Sequence, residues 1–164
     1  MCGANVRQYP QIAKMVKTND HLIGNHSYSH SLSKSLIGYG LAKEISLTHE
    51  TIKNILGQAP RIFRAPWGAN TLSVKKAVAQ LKYQTFQWDI SALDWLQPLM
   101  PYSYMKKRVF KKIRPGLIIL LHDGQATHRH FTRRKTIRLL EELIPYLKNS
   151  GYCFKTLTEI TPNP

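Results

Sequence analysis

Four short segments of this chain combine residue types that can do chemistry. The first is Gly24-Asn25-His26-Ser27-Tyr28-Ser29-His30. Histidines four apart meet on one side of a helical turn and can share a metal ion. No glutamate follows His26, so this is not the zinc-protease pattern, and a metal held here needs a third ligand. The second is Phe63-Arg64-Ala65-Pro66-Trp67-Gly68. An arginine at a strand end, beside a rigid proline turn, is placed to grip a carboxylate. The third, Asp89-Ile90-Ser91-Ala92-Leu93-Asp94-Trp95, brings two acids into one loop. Of the four aspartates in the chain, Asp89, Asp94 and Asp123 all fall at expected strand ends. The fourth is Leu120-Leu121-His122-Asp123-Gly124. A histidine at the mouth of an apolar strand, with a carboxylate nearby, can serve as general acid or base near neutral pH. Singly, each has a bland alternative: surface histidines, a Pro-Gly turn, an aspartate turn cap, a histidine filling a polar hole. Trp95 is either core or the wall of a pocket.

The elements that must position these groups alternate between helix and strand. Helical spacing runs over Tyr9–Thr18, with Ile12, Met15 and Val16 on one face. A short strand at His21–Gly24 leads into a polar loop, Asn25–Ser35. A long helix follows at Leu36–Leu56, with Leu41, Ile45, Ile52 and Ile55 as its stripe and Gly57 closing it. Arg61–Arg64 reads as a strand. The next helix is capped by Asn70 or Thr71 and ends near Leu81. Then come a strand at Gln84–Trp88, a loop at Asp89–Pro98 and a helix at Tyr102–Ile113. Leu117–Leu121 is wholly apolar, as expected of a strand buried on both faces. A last helix at Thr132–Asn149 contains Pro145, a potential kink. A strand at Tyr152–Leu157 precedes a frayed tail, 158–164. Met1-Cys2-Gly3 reads as the end of a strand, so an export signal is expected upstream of it. Repeated strand–helix units imply an α/β fold with a parallel sheet or barrel, whose sites gather at the C-terminal ends of the strands.

The 164 residues suit one domain. Lys and Arg number 24 against 9 Asp and Glu, a formal charge of +15, so polyanions are attracted. Nucleic acid, anionic lipid and anionic wall polymers are the candidates. The basic residues cluster in Lys106–Arg114 and His128–Lys135, both with apolar residues at helical spacing, so a solvated helix face explains them too. No zinc-finger or RNP signature points to specific nucleic acid. Cys2 and Cys153 form no CxxC pair, which excludes a thiolate zinc site. No apolar run approaches the ~20 residues of a membrane span.

In their order and spacing, His-x-x-x-His, Arg-x-Pro-x-Gly, Asp-x-x-x-x-Asp-Trp and Leu-x-His-Asp resemble the polysaccharide deacetylases with a NodB-homology domain. The resemblance runs from about Gly3 to Leu157 and covers four of that family's five motifs. It implies a domain over 1–157, folded as an irregular (β/α) barrel lacking its first strand or strands. It implies a divalent metal, usually zinc, on His26 and His30. It also implies removal of N-acetyl groups from a glycan such as peptidoglycan or chitin, and a location in the cell envelope or outside it. By the same resemblance Arg64 orients the base, and the backbone N–H of Trp67 helps hold the oxyanion. Leu120 and Trp95 line the acetyl pocket. His122 is the acid that protonates the leaving amine, and Asp94 orients it.

The family's remaining motif is a strand ending in Phe-Asp-Asp-Gly, which supplies the base and the third metal ligand. This chain contains no Asp-Asp pair. The first strand, its helix and most of the second strand are therefore expected to be missing. The alternative reading is a catalytically inactive glycan-binding homologue. The charge yields a prediction of its own. Binding to DNA or another polyanion should be non-selective and should fall steeply with added salt, because each neutralised phosphate releases counterions. Sequence-selective DNA binding at physiological salt would overturn this.

Overall fold

The computed structural model describes residues 1–97, 99–124 and 132–160. Pro98 of the expected Asp89–Pro98 loop, 128–131 of the second basic cluster and 161–164 of the tail lie outside the described residues. The chain divides into two compact units, Met1–Gln87 and Trp88–Pro164. Both are α/β.

The first unit is built on parallel pairing of short extended segments. The main-chain N–H of His26 donates to Met1 O and that of Gly3 to Ser27 O, each at 3.0 Å. Asn25 bridges in parallel to Phe63. Strand β1 (Ile62–Phe63) pairs in parallel with β2 (Gln84–Thr85). The strand expected at His21–Gly24 thus pairs at its C-terminal end, around Asn25. Helix α1 (Gly3–Gln8) precedes α2 (Pro10–Thr18), and proline opens the second helix where a missing N–H costs nothing. The expected apolar face of α2 is not buried. Ile12 and Met15 are exposed, and the close contact is made by the small Ala13.

Helix α4 (Leu41–Leu56) is the spine of this unit. Its buried residues, Leu41, Glu44, Ile45, Thr48, Ile52 and Leu56, follow the i, i+3, i+4, i+7 spacing of one helix face. Leu41 and Ile45 enter a core with Phe63, Val74 and Val78, the last two from α5 (Leu72–Gln80). Ile52 and Leu56 enter a second core with Val6 and Ala13. Full burial of side chains such as Ile45 and Ile52 is worth about 1.5–3 kcal/mol each.

The single helix expected over Leu36–Leu56 is two. Helix α3 (Leu32–Ile37), capped by Ser31, ends at Gly38-Tyr39-Gly40. Gly38 has φ 81° and Gly40 φ 74°, a left-handed backbone that no α-helix continues through.

In the second unit, β3 (Ile90–Ser91) pairs in parallel with β4 (Ile119–Leu120). Helices α6 (Tyr102–Phe110) and α7 (Arg134–Asn149) pack together over them. The core holds Ile90, Met105, Val109, Leu139 and Leu143. Pro145 lies inside α7 on its exposed face. Two expectations are corrected here. Leu117–Leu121 is half-buried along its length; Leu117, Ile119 and Leu121 pack on the core, as strand alternation requires. Tyr152–Leu157 forms no strand. Glu159 of α8 (Leu157–Ile160) accepts the N–H and hydroxyl of Thr156 at 2.6 and 2.8 Å, which draws the backbone into a turn. Among the described residues the named strands form two separate parallel pairs, not a closed barrel.

Two glycines provide a stability test. A Cβ at Gly38 would overlap the Ser73 side chain, whereas one at Gly40 meets nothing within 4 Å. Gly40→Ala should cost only the left-handed penalty, roughly 1–2 kcal/mol. Gly38→Ala should cost more, because strain and overlap add. Denaturant midpoints of the two variants check this order.

Candidate active site

His26 follows the paired residue Asn25, and its loop is held from below by buried polar groups. Asn25 is 1% exposed. It donates to Ile45 O at 2.8 Å and Tyr83 Oη at 3.0 Å, and accepts the Ser27 N–H at 3.0 Å. Ser27 Oγ accepts the His30 N–H at 3.2 Å. The carboxylate of Glu44 spans the middle of the loop, accepting Tyr28 N–H at 3.1 Å, Ser29 N–H at 2.7 Å and Ser29 O–H at 2.9 Å. Its other oxygen meets Lys34 Nζ at 2.6 Å. Burial pushes the Glu44 carboxyl up, but the bonds from Lys34 and Ser29 outweigh it and hold the group below its ordinary value.

The rings of His26 and His30 stand edge to face with centroids 4.9 Å apart. His26 Nδ1 lies 2.6 Å from Arg64 O. A carbonyl only accepts, so Nδ1 carries the proton and Nε2 keeps its lone pair. Burial holds the His26 pKa down at about 3, so the ring is neutral at physiological pH. A neutral imidazole, fixed in one tautomer by a main-chain carbonyl, is what a metal ligand requires. His26 therefore fits as a nitrogen ligand, with the His30 ring beside it as the nearest candidate for a second. No cluster of three or more His, Cys, Asp or Glu side chains suited to a metal exists among the described residues.

Arg64 leaves the end of β1, and its Nε donates to Phe86 O at 3.3 Å. Trp67 is 56% exposed in the turn that follows, and its indole N–H donates to His30 O at 3.2 Å.

In the second unit, Asp94 and His122 follow the C-terminal ends of β3 and β4. Asp94 is fully buried. Its Oδ1 lies 2.8 Å from His122 Nδ1, and its Oδ2 accepts the His122 N–H at 2.7 Å and the Thr136 hydroxyl at 3.0 Å. Gln97 Nε2 donates both to Thr136 Oγ1 and to Asp94 O. Burial alone would raise the Asp94 carboxyl, yet the bonds from His122 and Thr136 hold it below its ordinary value. The ionised carboxylate fixes Nδ1 as the protonated nitrogen and leaves Nε2 for proton transfer, on a side chain 31% exposed. Trp95 is 43% exposed, and Leu120 half-buried.

Asp89 stands elsewhere than expected. It precedes β3 instead of ending a strand, and accepts the Ile118 N–H at 2.9 Å. The sequence reading also missed Asn25, Glu44, Gln97 and Thr136 as supports. Glu44 did carry a signal: an acid on the buried stripe of α4 in so basic a chain.

Strain concentrates at these loops. Six non-glycine residues among those described have positive φ, and Ser27, His30, Trp67 and Leu93 are four of them. Each costs on the order of 1–3 kcal/mol and persists only where the surroundings enforce it, a pattern typical of functional loops.

The polysaccharide deacetylase family profile matches residues 1–86. The chain is 30% identical over 162 residues to a peptidoglycan-N-acetylglucosamine deacetylase of Bacillus cereus, covering 98% of this chain and 72% of that protein. It belongs to the polysaccharide deacetylase family. Its fold superposes on the Bc1960 peptidoglycan N-acetylglucosamine deacetylase with TM-score 0.83 at 27% identity, covering 97% of this chain and 72% of that one. BA3943, described as a CE4 family pseudoenzyme from Bacillus anthracis, gives TM-score 0.80 at 28% identity, covering 97% and 53%. The chain spans about half the length of the curated relatives it first matches, 46% and 55% for two Bacillus proteins.

The shifted groups predict a two-step acid response in metal-free protein. His26 binds its proton far less readily folded than unfolded, so stability should start to fall as pH drops below 6.5 and keep falling towards about 3. Glu44 and Asp94 are depressed carboxylates; their contribution is full above 4.5 and 3.8 and lost below as they protonate. His26→Asn should flatten the upper step and spare the lower one, as read by urea unfolding at stepped pH.

Proposed function

We propose that this chain is part of a metal-dependent hydrolase that removes N-acetyl groups from N-acetylglucosamine-containing polysaccharide, peptidoglycan or a chitin-like chain. The observation that carries the reading is the His122–Asp94 pair: a partly exposed histidine clamped through side chain and main chain by a buried carboxylate. A structural histidine has no need of such a clamp. An acid that must present Nε2 in one protonation state does, because an amine leaves only when protonated. His122 is accordingly the general acid, and Asp94 the group that fixes its tautomer.

His26 and His30 are the chain's two ligands for a divalent metal, zinc by preference. Bound there, the metal would supply a Lewis acid and lower the pKa of water towards ~7. Arg64 orients a carboxylate base. The Trp67 N–H stabilises negative charge on the substrate oxygen, while Trp95 and Leu120 shape the acetyl pocket. The base and third ligand come from outside these residues, since the chain has no adjacent aspartates. Residues 1–157 form the deacetylase domain, part of an irregular (β/α) barrel, with 158–164 as a tail. The acetylated glycan and the family point to the cell envelope or the exterior.

The missing aspartate pair favours a second reading, an inactive glycan-binding homologue, and the likeness to a protein described as a pseudoenzyme supports it. Acetate release from acetylated chito-oligosaccharides separates the two. The chain alone should be inactive or nearly so. A protein extended with a segment supplying adjacent aspartates should release acetate, lose that activity to chelator, and show a bell-shaped pH profile. In it, His122→Ala should lower turnover roughly 10²–10⁴-fold, and Asp94→Asn by less. Activity indifferent to both chelator and His122→Ala would refute the mechanism. An inert extended protein that still binds the oligosaccharide would establish the second reading.

A further inference from the structure

The run Lys106–Arg114 is not spent evenly. Lys106 pairs with Glu142 at 2.6 Å, and Arg108 Nε donates to Ser91 O at 2.8 Å, so these two cations hold α6 in place. Lys111, Lys112 and Arg114 instead border a cavity of about 400 Å³. The ammonium groups of Lys111 and Lys112 have no ion-pair partner among the described residues. Arg114 reaches Asp89 at 3.4 Å, a long and exposed contact. One carboxylate thus faces three cations, and the cavity is left positive. Ile113 and Leu117 add apolar surface to its wall.

Its place in the fold separates it from the acid. Asp89 and Leu117 precede the parallel strands β3 and β4, whereas Asp94 and His122 follow them. The cavity therefore opens at the N-terminal end of the strands, away from His122.

We propose that this cavity binds a phosphate-bearing unit of an anionic glycopolymer. Lys111, Lys112 and Arg114 take the phosphate, and the sugar or polyol backbone rests on Ile113 and Leu117, so this one site adds selectivity to a surface whose net charge otherwise attracts polyanions without selection. Charge complementarity selects an anion. The volume accommodates one sugar-sized unit with its phosphate. The lining selects among polyanions. It contains no aromatic ring on which a nucleobase could stack, which disfavours single-stranded nucleic acid. None of its residues is among the large exposed apolar side chains that a membrane-inserting surface presents. The proposal goes beyond the deacetylase reading and does not depend on it.

The test is titration calorimetry with a phosphodiester-linked glycerol phosphate oligomer, on the full chain at low salt. Lys111→Gln/Lys112→Gln should weaken binding at least tenfold and make it less salt-sensitive. Lys75→Gln/Lys76→Gln, on exposed α5 positions in the first unit, removes the same charge and should leave binding within about twofold. Circular dichroism checks that both pairs fold. Equal weakening by the two pairs would mean that net charge, not this cavity, holds the polymer, and would overturn the proposal. So would duplex DNA, or vesicles rich in phosphatidylglycerol, binding through Lys111 and Lys112 more tightly than the oligomer. Acetate release by an extended enzyme should be unchanged by Lys111→Gln/Lys112→Gln on short neutral chito-oligosaccharides, which keeps this site's failure distinct from that of the active site.

Discussion

A carboxylate taken out of water stays charged only if N–H and O–H groups replace the water it lost. Among the described residues only Glu44 and Asp94 are buried carboxylates, one in each unit. Each meets that demand by drawing a histidine-bearing loop onto itself. Glu44 gathers the main chain of Tyr28 and Ser29, between His26 and His30. Asp94 gathers the main chain and ring of His122. In a chain with 24 basic and 9 acidic side chains, these two acids set the loop conformations on which any chemistry here rests.

That dependence explains the distribution of strain. Ser27, His30 and Leu93 have left-handed backbones beside the two anchored loops, and Trp67 sits in the turn whose indole N–H meets His30 O. Satisfying a buried charge is worth enough to enforce conformations that an open loop would abandon. His26 shows the same economy. Burial removes its charge, and the Arg64 carbonyl then decides which nitrogen keeps the proton.

The sequence disclosed the alternation of elements, and it pointed to the His26–His30 and Asp94–His122 pairs that the structure brings into contact within each unit. It disclosed less wherever tertiary partners decide. Gly38 and Gly40 fell inside the single helix expected over Leu36–Leu56, yet their backbone ends one helix and starts another. Leu117–Leu121 looked buried on both faces because hydropathy counts apolar residues and not the neighbours that cover them. Asp89 and Asp94 looked alike until the start of β3 at Ile90 put them at opposite ends of one strand. Thr136 gave no signal at all, since a threonine near a helix start is ordinary unless a buried carboxylate is known to face it. Of the barrel expected from the family, the described residues show parallel strand pairs.

The parallel pairs also govern how the chain must assemble. Asn25 meets Phe63, Ile62 meets Gln84 and Ile90 meets Ile119, each across at least one intervening helix. No hairpin can nucleate such contacts. Each requires closure of a long loop before any backbone bond repays the lost entropy. The pairs are no more than two residues long, so their backbone bonds alone do little against that cost and helix packing must supply the rest. The histidine loops are anchored on Glu44 and Asp94, so their conformations depend on the same long-range contacts. The tautomers of His26 and His122 therefore depend on the completed topology, because the carbonyl and the carboxylate that fix them come from distant parts of the chain.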